Sequence, residues 1–245
     1  MDAADRPYYR HDLAFVHHRG FGFHADGCAP GILRLLEPIR KRDGLVLEFG
    51  CGSGLLTRHL VEAGHRVVAT DASPAMLDLA RETVPGADVR RLTLPDDPIP
   101  DVDAIVSVGH ALNYLPDAPA IERALLSIAG ALRPGGIVAF DLCDLQYAAH
   151  RVGDENRGWV GENWALVTRF SVPAPDRFVR QMATFVRADD GSWRRDDERH
   201  DNVMVDVAAV PSRLAQCGID SEVRSSFGDE QLPVGLKVIL GRRTA

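Results

Sequence analysis

The chain has 245 residues, 45% apolar and 26% charged, enough for one domain with a full core and a substantial insertion. Its formal charge of -7 argues against an extended basic face, and so against nucleic acid as a partner. No run approaches the roughly 18 apolar residues of a membrane span. The opening MDAADRPYYRHDL lacks a signal-peptide core. Cys28, Cys51, Cys143 and Cys217 form no C-x-x-C pair, so neither a disulfide framework nor a zinc site is indicated. A reduced, cytoplasmic protein without a metal is expected.

Residues 1–36 mix aromatics and histidines (YYRHDLAFVHHRGFGFHADG) and run into the helical pattern CAPGILRLLEPIRKR; a helical lid segment is expected there. Residues 37–145 then alternate strand and helix signals. LVLEF reads as a buried strand, GLLTRHLVEAG as an amphipathic helix closed by Gly64, and RVVAT as a second strand. In DASPAMLDLARETVPG a helix starts at Ser73, with Pro74 in its first turn, and stops at Pro85-Gly86. ADVRRL and DAIVSV give two more strands, DAPAIERALLSIAGALRPGG a helix that opens at Asp117, and IVAFDL a fifth strand. Strands separated by single helices pair in parallel through right-handed crossovers. Continuous apolar runs such as IVAF fit burial on both faces.

The helical period disappears in residues 146–205. ENWALVTRFSV, RFVRQMATFVRA and SWRRDDERHDNVMV alternate apolar and polar residues, and DDGS between the last two is a hairpin signal, which predicts a three-stranded antiparallel insertion. Residues 206–245 supply the short helix DVAAVPSRLAQCG and the strands IDSEVRSS and LKVILGR. The connector between those strands is too short for a crossover helix, so the closing pair is expected to be antiparallel.

The chemistry concentrates in LEFGCGSGLLTRHL, where a strand ends in Glu48 and Phe49 and a glycine turn leads into a helix. A P-loop would need G-x-x-x-x-G-K-[ST], and neither the lysine nor the spacing is present. A dinucleotide fingerprint would need G-x-G-x-x-G. Here Gly50, Gly52 and Gly54 give G-x-G-x-G, with Leu55 at the place of the third glycine.

VLEFGCGSG, VVATDAS about twenty residues later, and LRPGGIVAFDL together resemble the class I S-adenosylmethionine-dependent methyltransferases, over most of residues 37–145 and again the last forty. The inserted meander is similar to that of small-molecule members, including sugar N-methyltransferases. The resemblance implies a Rossmann-like seven-stranded sheet, mostly parallel with an antiparallel last strand, in which residues 37–145 bind S-adenosylmethionine and release S-adenosylhomocysteine. It implies cofactor contacts from Glu48, Gly50, Cys51, Gly52 and Gly54 around the turn. Asp71 and Ala72 would hold the ribose hydroxyls, Met76 would wall the adenine, and Val108 and Gly109 would follow strand four. Family members often place an acid near the adenine amino group after strand three; this chain has RLTLPDD, so Leu92 and Thr93 take that position.

Methyl transfer to a neutral amine needs little base catalysis, whereas a hydroxyl acceptor needs a base. His110, two residues past an apolar strand, is the first candidate for a base, with an ordinary loop residue as the alternative. Tyr9, His17 and Phe21 are candidates for a lid over the sulfonium, where aromatic faces favour a cation; a plain hydrophobic helix is the alternative. Asn113 and Tyr114 read as the packed first turn of a helix, Asp141 and Asp144 as strand-end acids, and His200 in RRDDERHD as solvated. The [DN]-P-P-[YF] signature of enzymes that methylate exocyclic or amide nitrogens is missing, with SVGHALN in its place. The expected partner is a small-molecule acceptor, with neither nucleic acid nor membrane; a second copy of the chain is a further candidate. Rival readings are a nicotinamide-dependent oxidoreductase, a non-catalytic protein that keeps the fold, and other chemistry on the same cofactor.

Overall fold

The computed structural model describes residues 8–149 and 156–244. The first seven residues of the expected lid, residues 150–155 of the expected insertion, and Ala245 lie outside them.

The core follows the alternation read from the sequence: β1 (Leu45–Phe49), α3 (Leu55–Glu62), β2 (Arg66–Asp71), α4 (Pro74–Thr83), β3 (Asp88–Arg91), β4 (Val102–Ser107), α5 (Ala118–Ala131) and β5 (Leu132–Cys143). Helix starts fall where small polar side chains cap free amides. Ser73 accepts from the Met76 amide at 3.2 Å, and Asp117 from the Ala120 amide at 2.7 Å. After the insertion come α6 (Val210–Ala215), β10 (Ile219–Arg224) and β11 (Leu236–Arg243).

The seven strands pair in the order β10-β11-β5-β4-β1-β2-β3. Only β11 runs antiparallel to its neighbours, as the short connector requires. The direction of winding reverses between β4 and β1, so a crevice opens there at the carboxyl ends of the strands. One face of the sheet buries Leu47, Ile105 and Phe140 against Ile121 and Ile128 of α5. The other buries Val46, Ala104 and Val106 against Leu56 and Leu60 of α3.

Two features differ from expectation. Residues 1–36 are not one lid: α1 (His11–Gly20) crosses the crevice, whereas α2 (Phe23–Lys41) buries Ile32, Leu36 and Ile39 against the sheet as a core layer. The insertion has four strands rather than three, β6 (Arg157–Val160), β7 (Trp164–Ala174), β8 (Arg177–Arg187) and β9 (Trp193–Val203), all antiparallel. The added strand is a four-residue stretch, RGWV, too short to show a period. Helix α1 packs Leu13 and Val16 against Leu166, Met182 and Val186 of this meander, joining it to the core. Among the described residues no helix is long and apolar enough to cross a membrane.

Removing the α5 cap with Asp117→Ala should lower the unfolding free energy by about 1 kcal/mol. Urea denaturation should show a shifted midpoint at an unchanged slope.

Candidate functional site

Gly50, Gly52 and Gly54 all take positive φ, +63°, +54° and +81°, a conformation that glycine adopts without strain. A Cβ on Gly50 would lie 2.4 Å from the Cβ of Ala111, so this position also needs the missing side chain for packing. Around Gly52 the nearest atom to such a Cβ is the Met76 sulfur at 3.9 Å. That space belongs to the crevice. The Gly52 amide donates to Asp71 Oδ2 at 2.9 Å, and the Ser73 amide to Asp71 Oδ1 at 2.8 Å. Burial pushes the Asp71 carboxyl up, against the amide bonds that favour its charged form. A carboxylate accepts about four hydrogen bonds, so lone pairs remain for a ligand.

The crevice has a volume of about 1060 Å³. Of the residues singled out in the sequence it is lined by Tyr9, His17, Gly50, Gly52, Asp71, Ala72, Met76, Leu92, Thr93, Val108 and Gly109. The others sit elsewhere. Glu48 is 2% exposed, facing α3, where its Oε2 accepts from the Thr57 hydroxyl at 2.7 Å. Burial outweighs that bond and raises its pKa to about 8, so at neutral pH it offers no charge to an ammonium group. Cys51 is buried beneath the turn, and Gly54 packs against Ala80 of α4. Phe21 packs against His17, Trp159 and Trp164 on the side of the meander.

The roof is made by the start of α1 and by β9. Glu198 accepts from the backbone amides of Tyr9 and Arg10, both at 2.8 Å, and so caps α1 from 188 or more residues away. Arg10 pairs with Asp196 at 2.7 Å and Arg194 with Asp12 at 2.5 Å. On the core side the Ser73 hydroxyl donates to the Tyr9 carbonyl at 2.7 Å. The charged run RRDDERHD thus divides by strand parity. Arg195 pairs with Asp197, and Arg199 with Asp201, along the outer face. Glu198 and His200 point inward and are buried, which corrects the reading of His200 as solvated.

The glycine turn, the acid one βα unit later and the antiparallel last strand have counterparts in known proteins. Residues 46–136 match the family model described as "Methyltransferase domain". An uncharacterised methyltransferase of Mycobacterium bovis is 36% identical over 134 residues, 54% of this chain and 50% of that protein. The chain thus spans about half the length of that relative. The crystal structure of a sugar N-methyltransferase from Streptoalloteichus has a TM-score of 0.77 at 19% identity, over 98% of this chain and 96% of that one. An S-adenosylmethionine-bound amino pentose methyltransferase from Micromonospora echinaspora gives 0.72 at 20% identity, over 98% and 99%. Residues 46–136 thus match a methyltransferase domain, and the fold over nearly the whole chain is shared with these two methyltransferases.

In this chain the loop after β4 is held by Asp141, which is fully buried at the end of β5. Its carboxylate accepts from the amides of Gly109 at 3.0 Å and His110 at 2.7 Å, and lies 3.3 Å from His24 Nε2. Burial alone would raise its pKa; the bond to His24, the nearby imidazoles and the Gly109 amide bring it below the usual range. Gly109 and Val108 therefore present main chain to the crevice, but the His110 ring turns away from it. That ring lies 5.6 Å from Tyr114, parallel within 7°, and its Nδ1 is buried without a partner. Burial and then the charge of Arg180 hold its pKa at about 3. The structure does not place His110 as a base against a ligand in the crevice.

Asn113 and Tyr114 do occupy a short helical turn, the 3-10 turn Ala111–Tyr114, yet each does more than pack. Asn113 is fully buried, accepts from the Cys143 amide at 2.9 Å and donates to the Val203 carbonyl at 2.5 Å, tying the ends of β5 and β9 together. Tyr114 lines the crevice, its hydroxyl 2.8 Å from that of Tyr9. Asp96 also lines it, an acid of the LPDD sequence that spacing alone did not separate from its neighbour. Asp97 is the one turned back, accepting from the Thr93 amide at 2.7 Å.

Because folded Glu48 titrates near 8 and the unfolded carboxyl near 4.3, the folded state holds a proton that the unfolded state has lost. Stability from this group falls as pH rises between those values. Glu48→Gln should raise the melting temperature more at pH 8 than at pH 5, as differential scanning calorimetry at both values would show.

Proposed function

We propose that this chain is an S-adenosylmethionine-dependent methyltransferase acting on O or N of a small-molecule acceptor. The observation that carries this reading is the Gly52–Asp71 bond at the mouth of the crevice. It sets a bare backbone amide region beside a carboxylate with free lone pairs, at the point where the sheet reverses its winding. A pyrophosphate would be repelled by Asp71. A ribose with two free hydroxyls satisfies it. Leu92, Leu94 and Met76 provide apolar walls for an adenine, and Asp96 an acceptor for its amino group.

Bound there, S-adenosylmethionine supplies an electrophilic methyl carbon and leaves as S-adenosylhomocysteine. The residues of the chain do the positioning, which can contribute roughly 7–11 kcal/mol to lowering such a barrier. Gly109 and Val108 form the wall beyond β4, while Tyr9, Tyr114 and His17 close the crevice from above. Their rings exclude water and present π-faces suited to a cation. The volume of about 1060 Å³ is at the upper end for a single drug-sized ligand and leaves room for an acceptor beside the nucleoside. A small acceptor is also supported by the fold shared with the sugar N-methyltransferase and the amino pentose methyltransferase.

Isothermal titration of the whole chain tests the reading. S-adenosylhomocysteine should bind and NAD should not. Asp71→Ala should weaken the former by roughly 1.5–3 kcal/mol, the scale of hydrogen bonds to a charged group. Binding of NAD alone, or equal affinity of the variant, would overturn it.

A further inference from the structure

Behind Tyr9 and Tyr114 the structure holds a cation without an anion. Arg180 points inward from the middle of β8, and its guanidinium donates to the Tyr114 hydroxyl while its Nε is buried with no hydrogen bond. The groups acting on its charge are the phenols of Tyr114, Tyr9 and Tyr147. Its own charge acts in turn on the imidazoles of His17, His110 and His200. Burial, with that charge, holds these histidines at about 4, about 3 and about 2, so all three are neutral at physiological pH. Each keeps a buried Nδ1 without a partner.

The carboxylates nearby are committed elsewhere. Asp141 serves the Gly109 and His110 amides and His24; Glu198 serves the Tyr9 and Arg10 amides and His200. Among the described residues Arg180 makes no ion pair. A charge largely removed from water without a counter-ion is destabilising, and orphaned buried polar atoms in a native protein call for a ligand or water. The guanidinium fork matches a carboxylate in shape and charge.

Arg180 is gathered with Tyr114, His110 and Tyr147, all of which follow β4 or β5. Asp71 ends β2, on the far side of β1 in the sheet. Arg180 thus meets the crevice through Tyr114, a lining residue whose loop follows β4, across the switch point from Asp71. We propose that Arg180 receives a carboxylate of the acceptor, and that the unpartnered Nδ1 of His17, the one of the three histidines that lines the crevice, binds the acceptor's hydroxyl or amino group. The acceptor is then a small acid that carries its methylated O or N near its carboxylate. This rests on the methyltransferase reading given above.

The test uses the whole chain. Protein saturated with S-adenosylhomocysteine is titrated with glycolate, glycine and benzoate, and with the amide of each. At least one acid should bind tenfold or more tighter than its amide, and Arg180→Met should erase that difference. If no acid exceeds its amide while S-adenosylhomocysteine still binds, the carboxylate receptor is refuted and the methyltransferase reading survives. Absence of S-adenosylhomocysteine binding removes both. The cofactor has a carboxylate of its own, so the variant is also titrated with S-adenosylhomocysteine and with 5'-methylthioadenosine, which lacks the amino-acid end. Both should bind as to the unsubstituted chain; a tenfold loss confined to S-adenosylhomocysteine would assign Arg180 to the cofactor and overturn the proposal. Arg180→Met should also raise the melting temperature of the unliganded protein, because an unpaired buried charge is removed. A lower melting temperature would mean that the guanidinium is a structural brace for Tyr114 and would sink the assignment.

Discussion

One hydrogen bond ties the functional half of this molecule together, the Gly52 amide on the Asp71 carboxylate at 2.9 Å. It joins the turn after β1 to the end of β2, beside the Cys51 amide, which donates to the Thr70 carbonyl at 2.9 Å. The turn can reach the acid because three glycines in succession take positive φ. It can lie against the loop after β4 because Gly50 has no side chain to meet Ala111. Asp71 in turn orders the Ser73 amide, and Ser73 both caps α4 and holds the Tyr9 carbonyl of the roof. The anchor for a nucleoside and the closure of the crevice thus share a single carboxylate.

Buried polar groups recur around that anchor, and each shapes the site by its protonation state. Glu48 lies one strand away from Asp71 and is neutral near pH 7, so the turn does not rest on two adjacent negative charges. The Thr57 hydroxyl donates to its Oε2 at 2.7 Å. Asp141 shows the opposite case: two backbone amides and His24 keep it charged in full burial, and the loop after β4 is fixed as a result. The difference follows from donor count. A buried carboxylate with several donors remains ionised, and one with a single hydroxyl partner does not.

The α/β core was legible in the sequence because its strands are continuous apolar runs and its helices carry caps at Ser73 and Asp117. The meander was legible as strands, but not as to which side faces inward. Period-two alternation says which residues share a face and leaves open which face is buried. The habit of placing the apolar set inside fails for β9, where Glu198, His200 and Asn202 are buried while Arg195 and Arg199 are exposed. The reason is physical: this face of the sheet covers a site rather than a core, so its polar groups find partners in α1 and in the loop after β4. The same cause hid Arg180, which on spacing alone reads as a solvated arginine. It also misplaced His110, where a left-handed backbone at φ +52° turns the ring beneath Tyr114 instead of into the crevice.

The partition of roles follows from this arrangement. The crevice residues proposed to hold a nucleoside come from the ends of β1, β2, β3 and β4, positions fixed by the sheet itself. The groups facing the remaining space come from α1 and the meander, and these two hold each other through Glu198 capping α1, Asp12 with Arg194, and Asp196 with Arg10. Because the two partners are distant in sequence, neither the cap nor the ion pairs can form before the core has brought the segments together. The roof's cap and ion pairs therefore depend on the core for their alignment, whereas the sheet has its own buried cores on both faces. Substitutions on the inward face of β8 and β9 can therefore change what the crevice accepts while Asp71 and the glycine turn stay in place. Tyr9 is the residue where core and roof meet: its carbonyl is held by Ser73 and its hydroxyl by Tyr114 of the core, and its amide by Glu198 of the roof.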